Sequence, residues 1–311
     1  MYTAFFNFFE PPFNLTPDPR FMYLSPGHQE ALEHMIYGVQ QRKGFVLVTG
    51  HIGAGKTTLT RMLVDQLEGK VRLALIFNTF LNEIELLRAV NREYALASKS
   101  SSRETLVKIL NEFLIEQMRL GGNAVLIIDE AQNLSVPVLE QIRMLSNLET
   151  DNQKLIQIIL VGQPELARTL ARPDMAQLNQ RITVRCQLPP LSQADTARYI
   201  QHRLVMAGPH GLARFHPRTF GLIHRLTQGV PRRINALCDR ALLVAFAQAK
   251  YDLTPAFIRQ AQRELDGNPV TPGIRSTRRV LSGPVLPAVL IVLVLILAAY
   301  WGYRRHWSFA P

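Results

Sequence analysis

Eight consecutive residues, Gly50-His51-Ile52-Gly53-Ala54-Gly55-Lys56-Thr57, have the types and spacing needed to hold phosphate. The pattern GxxxxGK[ST] follows a short β-branched run and opens a helical one, so its glycines let backbone N–H groups wrap phosphate oxygens. Lys56 is expected to bridge the β- and γ-phosphates and the Thr57 hydroxyl to hold Mg2+. Thr58 follows in the same turn, where the helix N-terminus adds its positive dipole. ATP with Mg2+ is the ligand such a set expects. A second motif, Ala124-Val125-Leu126-Ile127-Ile128-Asp129-Glu130, is an apolar run ending in two acids. Asp129 is expected to position Mg2+ and its water, and Glu130 to orient and activate the water that attacks the γ-phosphate. Two acids here could also cap a helix, but they stand about 70 residues after Lys56, where phosphate-loop chemistry needs them.

Three further positions carry candidate chemistry. Ile158-Ile159-Leu160-Val161-Gly162-Gln163-Pro164 puts an amide at the end of another apolar run. Gln163 can reach the γ-phosphate or the lytic water, or else cap the helix that follows. Arg181, in Gln177-Leu178-Asn179-Gln180-Arg181-Ile182, precedes the last expected strand and could reach a neighbouring subunit's nucleotide; Arg185 competes for that role, and either could be a surface charge. Gly229-Val230-Pro231-Arg232-Arg233-Ile234 puts two cations in the first turn of a helix. There they oppose the helix dipole, which contact with a triphosphate would explain.

These residues need a scaffold, and the periodicity supplies one. Ser25 and Pro26 cap and open a helix through Ala31, Leu32, Met35, Ile36 and Val39. Strands are expected at 45–49, 71–77, 124–128, 155–161 and 182–188, with helices from Asn82, at 102–119 and from Ser135. The runs up to 155–161 are continuous rather than alternating, as expected of parallel strands covered on both faces. The fold class is therefore α/β: a parallel sheet sandwiched by helices over 25–188. A small all-helical lid domain is expected over 189–266, with helices at 192–206, 217–227, 231–250 and 254–265. Residues 1–24, rich in Phe and Pro, are expected to form an extended segment packed on the domain that follows.

Composition narrows the function. The net charge of +11 is uneven: residues 1–187 carry 19 basic and 19 acidic side chains, 188–267 carry 11 against 5, and the remainder 5 against none. Residues 267–284 read as a linker. Residues 285–303 contain no charge and would span roughly 28 Å as a helix, close to a hydrocarbon core. Tyr300, Trp301, Tyr303, Arg304 and Arg305 mark an interface, so a single transmembrane helix is expected, with a short tail at 304–311. The first residues lack the basic start of a signal peptide, which leaves the catalytic part in the cytoplasm. Cys186 and Cys238, without CxxC spacing, argue against a disulfide framework or zinc site.

Taken together these motifs resemble the AAA+ ATPases, and more narrowly the general secretion pathway protein A (ExeA-like) family, which includes the MSHA-pilus biogenesis ATPases. The resemblance covers residues 5–265. It rests on Pro12-Phe13, Pro17-Asp18-Pro19-Arg20-Phe21, His28-Gln29-Glu30-Ala31-Leu32, the phosphate loop, Asp129-Glu130-Ala131-Gln132-Asn133-Leu134, Gly162-Gln163-Pro164-Glu165-Leu166, Gln180-Arg181-Ile182 and Gly229 to Asn235. By resemblance Gln163 matches sensor 1, Arg181 the arginine finger and Arg232 sensor 2. Asn78 could restrain Glu130 until a partner binds. The family implies assembly into a homo-oligomer, since the finger acts in trans. It also implies hydrolysis that drives or gates assembly of a secretion or type IV pilus-like machine in the bacterial inner membrane. Longer members carry a periplasmic region, often able to bind peptidoglycan. This sequence stops eight residues after the apolar run, so an integral-membrane partner is expected instead. The alternative is a DNA-binding AAA+ regulator similar to transposition helper ATPases, supported by the basic helical part; a nucleotide-dependent scaffold is a third reading, which Glu130 opposes.

Overall fold

Five parallel strands set the frame: β1 (Phe45–Gly50), β2 (Arg72–Ile76), β3 (Ala124–Ile128), β4 (Ile156–Gly162) and β5 (Ile182–Leu188), in the order β2-β3-β4-β1-β5. The computed structural model describes residues 1–16, 18–150 and 153–267. The expected linker from 268 on, the apolar run 285–303 and the tail 304–311 lie outside them. Among the described residues no helix is long and apolar enough to cross a membrane.

The central strands β1, β3 and β4 bury both faces, which is why their runs are continuous, whereas the edge strands leave Arg72 on β2 and, in alternation, Thr183, Arg185 and Gln187 on β5 exposed. Phe45, Leu47, Leu126, Ile128, Ile158 and Leu160 point into one core, closed by Leu86 and Val90, by Leu106, Leu110 and Leu114, and by Leu139 and Ile142. These come from the helices Glu83–Glu93, Arg103–Arg119 and Val136–Leu145. Val46, Val48, Val125, Ile127, Ile159 and Val161 face the opposite core, built with Leu32, Met35, Leu59 and Leu63 from Pro26–Gln40 and Lys56–Leu67. Gly38 lets the first of these helices lie on the sheet, since a Cβ there would stand 2.4 Å from Val46 Cγ2. Helix starts follow local chemistry. The Ser25 hydroxyl accepts from His28 N–H with Pro26 at the first turn, and Asn82 and Glu85 form a capping box.

Beyond β5 come the helices Gln193–Ala207, Pro217–Thr227, Pro231–Ala247 and Pro255–Leu265. The chain here is not purely helical as expected. Two short strands, β6 (Arg214–Phe215) and β7 (Asp252–Leu253), pair in parallel, too short to leave any periodicity.

The N-terminal residues depart from expectation in their partner. Tyr2–Phe5 is a short helix and Pro19–Phe21 a 3-10 turn. Phe6, Phe8, Phe13 and Phe21 are buried not against the sheet but in the core of the helical part, among Ile200, Leu237, Cys238, Leu242 and Ile258. Each large apolar side chain withdrawn from water contributes roughly 1.5–3 kcal/mol. Hydrogen bonds fix the register: Tyr2 Oη donates to Asp239 Oδ1 at 2.5 Å, Phe9 N–H to Ala207 O at 2.8 Å, and Leu212 N–H to Phe6 O at 2.8 Å.

Gly229 joins the helical part to the segment leaving β5. Its φ is 69°, Leu191 N–H donates to its carbonyl at 2.9 Å, and a Cβ would lie 2.1 Å from Leu191 O. Left-handed backbone alone costs a non-glycine residue about 1–2 kcal/mol. Gly229→Ala should therefore lower the melting temperature by roughly 3–8 °C in a thermal melt; an unchanged melt would show that this crossing is not held as described.

Candidate functional site

The phosphate loop leaves β1 at Gly50 and enters the helix Lys56–Leu67 at Gly55. Two of its glycines have positive φ, 78° at Gly53 and 98° at Gly55, and this curls the loop so that backbone N–H groups can turn inward. His51 is exposed, whereas Ile52, Gly53, Gly55, Lys56, Thr57 and Thr58 line a cavity of about 510 Å3. Ala54 is buried beneath it; its carbonyl accepts from His28 Nε2 at 2.9 Å. Because a carbonyl can only accept, that ring nitrogen carries the proton, and Nδ1 then accepts from the Ser25 hydroxyl at 2.6 Å. His28 thus ties the helix Pro26–Gln40 to the underside of the loop, a role its place in the sequence did not reveal.

Charge is concentrated here without being neutralised. Lys56, 5% exposed, donates to Gly50 O at 2.9 Å and His51 O at 3.3 Å, and among the described residues it forms no ion pair. Burial pulls its pKa down, opposed by the carboxylates of Glu130, Asp129 and Glu165. Asp129, 1% exposed, is pushed the other way by burial, opposed by the Thr57 hydroxyl donating to Oδ2 at 2.9 Å and by Glu130 N–H donating to Oδ1 at 2.9 Å. A desolvated cation lining the cavity and a desolvated carboxylate buried beside it would both gain from a polyanion that brings a divalent cation. Thr57 and Asp129 supply two oxygen ligands, a number that suits Mg2+, which completes its shell from phosphates and waters. Among the described residues no cluster of three or more His, Cys, Asp or Glu could hold a metal without such help.

Glu130 and Gln163 meet at the same cavity. Glu130 adopts φ 53°, in the left-handed region, at the turn leaving β3. Its Oε2 accepts from Gln132 Nε2 at 2.6 Å and, more distantly, from Gln163 Nε2 at 3.5 Å. Gln163 begins the helix Pro164–Leu170 but makes no side-chain cap, so capping does not occupy its amide. Asn78 does not reach Glu130: it is exposed and its Oδ1 accepts from Phe80 N–H at 3.2 Å. Its neighbour Thr79, buried, donates to the Glu130 carbonyl at 3.3 Å instead, in the segment past the end of β2 where the strand's alternation no longer holds.

The helical part closes the cavity. Arg232 lines it, exposed and, among the described residues, without any side-chain hydrogen bond or ion pair. Its N–H donates to Gly53 O at 3.3 Å, and a Cβ on Gly53 would lie 2.5 Å from Arg232 Cβ, so the loop and this helix touch through a glycine. Arg233 turns away to Leu226 O at 3.1 Å. The far wall holds residues not anticipated from the sequence: Asn14, Thr16, Asp18, Phe21 and Tyr23 of the N-terminal segment with Tyr199, Arg203 and Asn235. Arg203, 6% exposed, donates to Pro12 O at 2.7 Å, Asn14 O at 3.3 Å and Tyr199 Oη at 2.8 Å, pinning the segment there. Arg181 and Arg185 stand outside the cavity. The first donates to Ser146 Oγ at 2.6 Å, and the exposed second to the carbonyl and side-chain oxygens of Asn179 at 2.8 and 2.7 Å.

His28 makes the site sensitive to acid. Burial lowers its pKa from the usual value near 6.5, so the unfolded chain binds a proton more readily than the folded one. Stability is complete above about pH 6.5 and falls as pH drops from there through the lower folded value, by up to about 1.4 kcal/mol per pH unit. Melts at pH 8 and 5.5 should show a smaller acid loss for His28→Gln than for the wild type. Equal losses would mean that His28 titrates as if exposed.

Residues 39–170 match the family model described as an AAA domain. Over 305 residues, 98% of its length, the chain is 41% identical to general secretion pathway protein A of Aeromonas hydrophila and spans 54% of that protein. Among solved structures it superposes on the Aeropyrum pernix ORC2 protein with a TM-score of 0.58 at 18% identity, covering 80% of this chain and 72% of that one. For Cdc6p from Pyrobaculum aerophilum the values are 0.59 and 17%, over 80% and 71%. At such identities these likenesses speak for the fold alone. The nucleotide-binding part of this chain is thus an AAA domain of the AAA+ fold, within a relative of general secretion pathway protein A.

Proposed function

We propose that this chain is an Mg2+-dependent ATPase that drives or gates assembly of a secretion or type IV pilus-like machine at the bacterial inner membrane, held there by residues 285–303. The observation that carries the catalytic reading is the convergence on one cavity of two cations without carboxylate partners, Lys56 and Arg232, with Glu130, beside the Thr57–Asp129 pair. Lys56 binds β- and γ-phosphate oxygens, and the loop N–H groups cradle the chain of phosphates. Thr57 and Asp129 would hold Mg2+, which when bound would supply positive charge against the phosphate oxygens. Glu130 takes the proton of the attacking water, Gln163 orients that water, and Arg232 carries the state of the γ-phosphate to the helical part. Arg181 and Arg185, outside their own cavity, suit contact with a neighbouring subunit's nucleotide in a homo-oligomer.

The machine-assembly reading is supported by the 41% identity to general secretion pathway protein A. An inner-membrane position is supported by the uncharged run at 285–303 and its flanking arginines.

Lys56→Ala should abolish ATP binding in equilibrium titration. Glu130→Gln should keep binding while lowering kcat by roughly 10²–10⁴; normal hydrolysis by that variant would remove Glu130 from the role of base. The full chain, fractionated with its membranes, should stay in the pellet through a high-salt wash, and release into the supernatant would exclude the anchor.

A further inference from the structure

The carboxylate assigned as the base is not held by the strand that bears it. Glu130 leaves β3 in left-handed backbone, and Gln132, two residues on in the 3-10 turn Ala131–Asn133, folds back over it. Gln132 Nε2 donates to Glu130 Oε2 at 2.6 Å, while Gln132 Oε1 accepts Gln163 N–H, at the end of β4, at 2.9 Å. A backbone N–H can only donate and a carboxylate can only accept, so the partners fix the orientation of this amide. Nothing but a primary amide of this length could satisfy both: Asn is one methylene short, Glu lacks the donor, and Met lacks both groups.

The surroundings keep this arrangement open. A Cβ on Gly162 would lie 3.0 Å from Gln132 Oε1 and 2.8 Å from Leu166 Cδ2, so a side chain there would press directly on the amide. Gln163 adds its own Nε2 toward the same carboxylate oxygen. Among the described residues Glu130 Oε1 has no protein donor, which leaves one oxygen anchored and one available to a proton.

We propose that Gln132 is a positioning residue for hydrolysis, setting the Glu130 carboxylate from the end of β4 so that movement of Gln163 with the bound nucleotide reaches the base through one side-chain amide. This rests on the ATPase reading above. It predicts that the residue acts only through Glu130. In steady-state assays of the full chain, Gln132→Ala should lower kcat by about 10- to 100-fold, with KM and the affinity for a fluorescent ADP analogue changed less than about twofold. Gln132→Glu, which keeps the acceptor but replaces the donor with a charge facing Glu130, should lose at least as much. In the Glu130→Gln background, adding Gln132→Ala should not reduce the residual single-turnover rate further. Wild-type kcat in Gln132→Ala, or a further loss of the same size in the Glu130→Gln background, overturns the proposal. So does a fall in nucleotide affinity that accounts for the lost turnover. Absence of turnover in the wild type overturns the ATPase reading itself, and the two failures are distinguished in the same series.

Discussion

The hydrogen bond from the Thr57 hydroxyl to Asp129 joins residues whose strands are not neighbours. β4 lies between β1 and β3, so the phosphate loop and the acidic turn stand two strand spacings apart, about 9–10 Å. The cavity is therefore flanked by turns from two strands that do not touch. The intervening strand ends in Gly162 and offers the residue just past it, Gln163. Strand order therefore decides which side chains share the cavity, and the packing of both sheet faces keeps the three strand ends level. In register, Ile128 pairs with Leu160 and Thr49 with Gly162, so the chemistry begins just past aligned positions on adjacent strands.

The site is also built from material far from the sheet. Arg203 is buried and has three oxygen partners, two of them carbonyls of the N-terminal segment, and its guanidinium stacks over Phe21 at 5.1 Å and Tyr199 at 5.6 Å. A cation withdrawn from water needs such a dense set of acceptors and ring faces. Its presence explains why a segment with little regular structure of its own holds one shape at the cavity wall. The wall and the helical core behind it are a single packing problem, since Phe21 belongs to both.

The strand core and the phosphate loop were legible because their signals are local. The run 124–128 and the run 182–188 became β3 and β5 at the same residues, and glycine spacing marks a loop wherever it occurs. What escaped depends on which surface a residue meets. Phenylalanines at 6, 8 and 13 announce burial, yet nothing in their spacing chooses between a sheet already covered on both faces and a helical core with room for them. Asn78 and Thr79 lie past the end of β2, where the chain leaves the period of two that would have buried residue 78, so the sequence could not choose between them. Gln132 was visible only as part of a resembling motif. Its contact follows from the left-handed backbone at Glu130, which spacing does not encode for a non-glycine residue.

Burial of the first residues among the last helices sets an order of events during synthesis. Tyr2 bonds to Asp239, 237 positions later, and Phe6 lies in one core with Ile258 and Ala261. At about 5–20 residues per second the ribosome needs roughly 10–50 s to deliver those partners. Throughout that interval the earliest aromatic side chains are out of the tunnel with no native surface to cover them, while the sheet domain can already condense. Closure of the nucleotide cavity wall therefore waits for residues 193–265, and until they arrive these aromatic side chains must be kept from aggregating.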